Sequence, residues 1–165
     1  PEFFNAAGPY KGQKRDLYDG GIHVPMLIQW PEKVTQGRID NTPWLFADVL
    51  PTFADIAGVN LDLVPRVRTN GVSIKGLLSD SPERMAERTL YWEFSKQVGD
   101  PNSGVIGDTY QAARKGKWKA VRYGFEAPLE LFNIITDKGE RNNLVSSQPH
   151  IAKEFLELFE EYKIK

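Results

Sequence analysis

The chain has 165 residues, 41% of them apolar and 26% charged, an ordinary globular composition able to hide roughly 70% of its unfolded surface without cross-links. Twenty-one basic and 22 acidic side chains leave a net charge of −1, so no long-range field draws it to nucleic acid or to an anionic membrane. There is no cysteine, which excludes disulfides, thiolate zinc sites and a cysteine nucleophile, and no window approaches the ~20 apolar residues of a membrane helix.

Residues 1–20 are polar and turn-rich and read as a loop. Ile22-His23-Val24-Pro25-Met26-Leu27-Ile28-Gln29-Trp30, closed by Pro31, reads as a strand buried on both faces, with Pro25 at its beginning or on an edge. A turn-rich connection over 31–44 leads to a helix from Val49 to Ala57. Asp48 is its expected N-cap, Pro51 falls in its first turn, and Val49, Leu50, Phe53, Ile56 and Ala57 form its apolar face. Gly58 stands where a left-handed residue ends a helix. Residues 60–88 read as loop with one helical turn near Ile74–Leu78.

From about residue 89 the pattern changes. Leu90–Phe94 reads as a strand, 96–108 as a Gly/Asp/Pro/Asn loop, and Tyr110–Arg114 with Trp118–Tyr123 as a hairpin turning at Lys115-Gly116. Leu129–Asn133 is a further short strand. The last element is a helix over about Pro149–Tyr162, with Ile151, Phe155, Leu158, Phe159 and Tyr162 in one stripe, Ser147 as its cap and Pro149 in its first turn. The second half is therefore an α+β unit, a small antiparallel sheet packed by a C-terminal helix. The first half has too few elements to close a sheet and reads as the end of a larger α/β domain. The expected division is 1–88 and 89–165.

Two histidines are present, His23 and His150, with no metal-ligand spacing between them. His150 reads as a solvated helix residue, and His23 as either a hydrogen-bonded structural histidine or a pocket residue. Arg114, Lys115, Lys117, Lys119 and Arg122 cluster around Trp118. The neutral overall charge favours a hairpin with one solvated face over a nucleic-acid surface. Lys11, Lys14 and Arg15 precede Tyr18-Asp19-Gly20-Gly21, a small basic loop whose glycines let backbones approach closely and which suits an oxyanion.

The spacing as a whole says more. Gly12-Gln13-Lys14-Arg15-Asp16-Leu17-Tyr18-Asp19-Gly20-Gly21-Ile22-His23-Val24-Pro25 followed by Trp30-Pro31 closely resembles the second signature region of type I sulfatases. Asp48-Val49-Leu50-Pro51-Thr52 with Ala57-Gly58 is similar to that family's D-x-x-P-T helix. Asn70-Gly71-Val72-Ser73-Ile74 with Leu77-Leu78 resembles its D-G-x-S-x-x-x-L-L segment. Glu130-Leu131-Phe132-Asn133, Asp137, Glu140 and Asn143-Leu144 resemble its E-L-Y-[DN]…D-x-x-E-x-x-N-L ending. The landmarks run in order from about Gly12 to the end of the chain.

The resemblance implies the carboxyl-terminal portion of a formylglycine-dependent sulfatase in the alkaline phosphatase superfamily, the tail of a larger α/β domain followed by the antiparallel unit. It implies hydrolysis of sulfate esters, the substrates expected at family level being carbohydrates such as N-acetylgalactosamine 6-sulfate. It places Lys14 at the family's sulfate-binding, catalytic lysine, where a cation meets charge developing on the ester oxygen as the S–O bond breaks. Asp19 stands where Glu is commoner and is expected to hold the loop rather than a metal. His23 and Glu93 are read as further substrate-binding residues, Glu93 together with the polar loop at 96–108, a solvated loop being the alternative.

The departures from the family matter as much. Asp80-Ser81-Pro82-Glu83-Arg84 has the Pro and Arg of the formylglycine motif but Asp80 at its reactive position, and the family's metal-binding aspartates are not found. No metal site and no cofactor are therefore expected in these residues, whereas calcium and formylglycine are expected in a full-length enzyme. The chain begins at Pro1 and reads as a processed or cut piece, inactive alone. Its expected partners are a sulfated small molecule or glycan, the N-terminal part of the same polypeptide, and its own copies by self-association, with no nucleic acid and no membrane. A periplasmic or secreted location is the family-level expectation. The alternatives are a non-catalytic binding or scaffold domain of sulfatase-like fold and a related phosphoryl or phosphonate hydrolase.

Overall fold

The structure, a computed structural model, describes residues 5–34, 36–79, 85–97 and 106–163. Most of the loop expected at 96–108 and the Asp80-to-Arg84 stretch lie outside them. Two compact units result, one made of residues 1–25 and 88–165, the other of 26–87. The lysine loop, expected to go with 26–88, packs instead with the C-terminal half of the chain.

The first unit is built on a four-stranded antiparallel sheet in simple order: β1 (Leu90–Gln97), β2 (Ile106–Lys115), β3 (Trp118–Tyr123) and β4 (Glu130–Asn133). β2 and β3 pair from Tyr110↔Tyr123 to Lys115↔Trp118, so Gly116 and Lys117 alone make the turn, and Gly116 takes the positive φ that a tight hairpin demands. Because side chains alternate across a sheet, the register sorts residues onto two faces. One carries Tyr91, Ala113, Ala120 and Leu131 in a row; the other carries Trp92, Ala112, Val121 and Glu130.

The first face is covered by helix α3 (Pro149–Tyr162), which has the expected bounds. Phe155 and Phe159 are fully buried against Ala113, Ala120 and Leu131, with Ile151 and Leu158 at the margin of the same cluster. Alanines on the strands leave room for the helix's phenylalanines. Ser147 is not the cap: Gln148 holds that position and the Ser147 hydroxyl donates back to the Leu144 carbonyl. The second face is covered by the segment around the short helix α1 (Asp19–Ile22). Leu17 is buried there with Ala112 and Val121, and Tyr18, Ile22, Trp92, Phe94, Tyr110 and Tyr123 surround them.

The second unit centres on α2 (Val49–Ile56), entered through a 3₁₀ turn at Phe46–Asp48. Its expected apolar face is not the buried one. Phe53 is 63% exposed and Leu50 half exposed, whereas Asp48, Thr52 and Ala54 are buried. Asp48 holds the expected N-cap position, but its carboxylate makes no cap bond to the helix and accepts instead from the Leu45 and Val72 amides. The Thr52 hydroxyl donates to the Asp48 carbonyl and accepts from the Ile74 amide. The side packed inward is thus the one that satisfies the Gly71–Ile74 backbone. The helix ends in a Schellman arrangement, Val59 N–H to the Ala54 carbonyl and Gly58 N–H to that of Asp55, with Gly58 at φ 72°.

The strand expected at Val24–Trp30 does not form. Residues 23–30 are irregular, and Leu27 is 98% exposed. Extended backbone becomes a strand only when a neighbour takes its N–H and C=O groups, and no described strand lies beside this segment. Amide hydrogen exchange should therefore find its slowest protons in β2 and β3 and rapid exchange across residues 24–30. Slow exchange throughout 24–30 in a dilute monomer would show that a pairing partner exists within the chain.

Candidate functional site

The basic loop closes on itself. Gly20 N–H bonds the Lys11 carbonyl at 2.7 Å, Asp16 N–H bonds the Gln13 carbonyl at 2.8 Å, and the Asp16 carboxylate accepts the Gln13 amide. Lys14 and Arg15 occupy the turn between Gln13 and Asp16, Arg15 at φ 79°, and both side chains are exposed. The two glycines are required by contact. A Cβ at Gly21 would stand 2.1 Å from the Asp16 carbonyl oxygen, and one at Gly20 would stand 2.3 Å from that of Gly12.

Three consecutive residues then fasten this loop to the sheet. Leu17 N–H donates to the Tyr123 hydroxyl at 3.0 Å. The Tyr18 hydroxyl donates to Glu130 at 2.7 Å, while Lys11 Nζ lies over the Tyr18 ring and 3.3 Å from the same carboxylate. Asp19 Oδ1 meets Lys119 Nζ at 2.6 Å, and Lys119 Nζ also meets Glu140 Oε1 at 2.8 Å. Glu140 Oε2 accepts the Asp19 amide at 2.7 Å, which closes the triad. Lys119 and Glu140 have no solvent exposure. Burial is the main reason the Tyr18 phenol is pushed above its ordinary range, with the bond to Glu130 adding to it; burial likewise pushes Tyr123 up to about 12. Burial also raises the Glu140 carboxyl above its ordinary value, with Lys119 pulling against it.

The sequence-predicted residues are distributed unevenly over this arrangement. Lys14 is at the exposed tip of the anchored loop. His23 follows α1, exposed, its ring edge-on to Tyr10 with centroids 4.6 Å apart. Glu93 is elsewhere. It pairs with Gln111 and Arg122 in the register, on the face covered by α3, and accepts from the Tyr91 hydroxyl at 2.5 Å. The sheet therefore stands between Glu93 and the lysine loop. The basic cluster around Trp118 is split in the same way. Lys119 is buried under the loop, whereas Arg122, on the opposite face, bonds Gln111, the Phe125 carbonyl and Glu160.

Sequence reasoning missed Lys119 and the pairing of Glu140 with it. The available signal was period two: Lys119 alternates with Val121 and Tyr123 on one strand face, a lone charge in an apolar row. Among the described residues no three His, Asp or Glu side chains converge. The carboxylates of Asp19 and Glu140 share one ammonium, that of Lys119. That donor set does not fit calcium, which takes six to eight oxygens. In the second unit a groove of about 530 Å³ is lined by Met26, Trp30, Trp44 and Leu77 among others; its Arg38 guanidinium is held by the Leu77 and Ser79 carbonyls.

Comparison with known proteins is consistent across sequence and structure. The family model for the C-terminal region of N-sulphoglucosamine sulphohydrolase matches residues 10–163. A sulfatase of Formosa agariphila is 27% identical over 143 residues, covering 86% of this chain and 26% of the relative. Arylsulfatase K of Danio rerio is 32% identical over 144 residues, with the same coverage of 86% and 26%. The chain thus spans about a quarter of the length of these relatives. A solved sulfatase-family structure from Bacteroides thetaiotaomicron, 25% identical, superposes with a TM-score of 0.55 over 70% of this chain and 23% of its own. A second solved structure, holding its substrate D-glucosamine-2-N,6-O-disulfate, is 24% identical with a TM-score of 0.51 over 69% and 22%, and shares the fold.

The triad sets an asymmetric expectation for stability. Lys119→Met leaves the buried Glu140 and the partly buried Asp19 without their shared cation and should cost about 3–5 kcal/mol. Glu140→Gln leaves a neutral Lys119–Asp19 pair and should cost clearly less, as read by denaturant unfolding. A carboxyl whose folded pKa is raised contributes stability below its unfolded pKa and loses it as pH rises through the folded value. Glutamine mimics the protonated form, so the destabilisation by Glu140→Gln should shrink between pH 4 and pH 7. A penalty that grows over that interval would reverse the sign assigned to Glu140.

Proposed function

The chain belongs to the family of N-sulphoglucosamine sulphohydrolase C-terminal regions, and from that premise we propose that it works as the carboxyl-terminal part of an enzyme hydrolysing sulfate esters of carbohydrates. The observation that carries the proposal is Lys14, an exposed ammonium on a loop whose base is bonded to the sheet at three successive residues. The backbone that presents this cation is preorganised. The ammonium can meet a sulfate oxygen and the charge that grows on the ester oxygen as the S–O bond breaks, with only its own side chain left to be ordered. His23, exposed after α1, is proposed as a second substrate contact. Glu93, behind the sheet, is left out of the site.

The family's own description names a sulfated amino sugar, which supports a sulfated hexosamine glycan, N-acetylgalactosamine 6-sulfate being one of that type. Formylglycine would supply the nucleophile in such an enzyme, and calcium would polarise the sulfate. The residues described do not fit either group, so the proposal assigns this chain neither. Its contribution is one wall of a pocket and one cation.

In an intact sulfatase containing this chain, Lys14→Ala should lower kcat on aryl sulfates by about 10²-fold, the range for losing a preorganised donor. The fold should persist, because Lys14 is exposed. A near-normal kcat would reduce Lys14 to a solvated surface residue. The chain on its own, with or without added calcium, should turn over aryl sulfate no faster than buffer, and turnover abolished by changes within these residues would overturn the assignment of the nucleophile elsewhere.

A further inference from the structure

Lys119 is an unusual residue for the middle of a sheet. Its ammonium has no solvent exposure and lies between two carboxylates drawn from segments 100 and 21 residues away, Asp19 and Glu140. A cation with two anions leaves the triad with net negative charge. Apolar residues of similar volume would often be as stable or more so, so holding the loop down is not a sufficient account of the arrangement. What an ion triad adds is position. An apolar contact tolerates sliding, whereas Nζ at 2.6 and 2.8 Å from two oxygens, with the Asp19 amide tied to Glu140 at 2.7 Å, admits one placement of Asp19. Glu140 holds its place at φ 49°, a conformation that costs a non-glycine residue about 1 kcal/mol.

The placement of Asp19 is passed on to Lys14. The Gly20 amide is bonded to the Lys11 carbonyl, and Gly21 sits against the Gln13 and Asp16 carbonyls with no room for a Cβ. The Gln13–Asp16 turn, which carries Lys14, therefore cannot move independently of Asp19. Tyr18–Glu130 and Leu17–Tyr123 limit rotation of the loop about that point. We infer that Lys119, Asp19 and Glu140 are positioning residues that set where the Lys14 ammonium stands, an inference that rests on the reading of Lys14 as the sulfate-binding cation. None of the three is expected to touch substrate; each acts through Lys14.

The test is a double-mutant cycle in the intact sulfatase containing this chain, with 4-nitrophenyl sulfate as probe and kcat as readout. Glu140→Gln alone should lower kcat by about 10-fold, since misplacing a catalytic group by about 1 Å costs up to about 10²-fold. In a Lys14→Ala background the same change should lower kcat by less than about 2-fold, because the group it positions is already gone. A purely structural role would give the full loss in both backgrounds, and that result would overturn the inference while leaving Lys14 in place. An unchanged kcat for Glu140→Gln would overturn it as well. A Lys14→Ala enzyme with normal kcat would instead overturn the reading of Lys14 on which the inference rests. Should Glu140→Gln fail to fold, Asp19→Asn, which keeps the shape and an acceptor for Lys119, is taken through the same cycle. The loss expected of it is again large alone and small beside Lys14→Ala, and equal losses in the two backgrounds again overturn the inference.

Discussion

An ammonium withdrawn from water must be given an anion, and in this protein that requirement joins three distant parts of the chain. Lys119, the second residue of β3, projects into the layer between sheet and loop, where it holds Asp19 from the N-terminal loop and Glu140 from the turn after β4. Among the described residues, Leu17, Tyr18 and Ile22 give the second face of the sheet its apolar cover. Their apolar contacts supply area, and register comes from the polar bonds of the same segment, Leu17 to Tyr123, Tyr18 to Glu130 and the triad itself. The triad ties the N-terminal loop to a particular rung of the sheet, and so joins residues 1–25 to residues 88–165 in one unit.

The two faces of the sheet divide the work between them. The face under α3 is mostly apolar, with Phe155 and Phe159 filling the space above Ala113, Ala120 and Leu131. Its polar row, Glu93, Gln111 and Arg122, is bonded internally and to Glu160 at the helix's outer end. The opposite face carries the ion triad and the tyrosines, and beyond them the loop with Lys14. The unit 26–87 uses buried polar groups to the same end by different means. Asp48 and Thr52 take up backbone amides of Leu45, Val72 and Ile74, and Gly71 has Ala47's carbonyl where a Cβ would be. Motif residues that look like chemistry in the sequence are there the fasteners of one loop to one helix.

What was legible in the sequence was local. The stripe on 149–162 marked a helix because i, i+3 and i+4 residues share a face whatever surrounds them. The hairpin was marked by alternation about Gly116, and the end of α2 by Gly58, since a positive φ is a property of a few consecutive residues. The family landmarks were legible because their spacing survives as a string. The expectation for 24–30 failed for the converse reason: an apolar run states a capacity for burial, and only a neighbour realises it. The apolar stripe of α2 failed likewise, its buried side being chosen by the backbone of Gly71–Ile74.

The sequence by itself determined the elements of the antiparallel unit, the family, and Lys14 as the residue to test, because each rests on spacings within about twenty residues or on a resemblance carried by ordered motifs. The tertiary structure alone decided that Lys119 is buried rather than solvated, that Glu93 and Lys14 stand on opposite sides of a sheet, and that Glu140 answers to Asp19. Those outcomes depend on which carboxylate a buried charge finds after the chain has folded back over 100 or more residues. The pairing energy exists only once both partners have left water together, and no window along the chain contains them both.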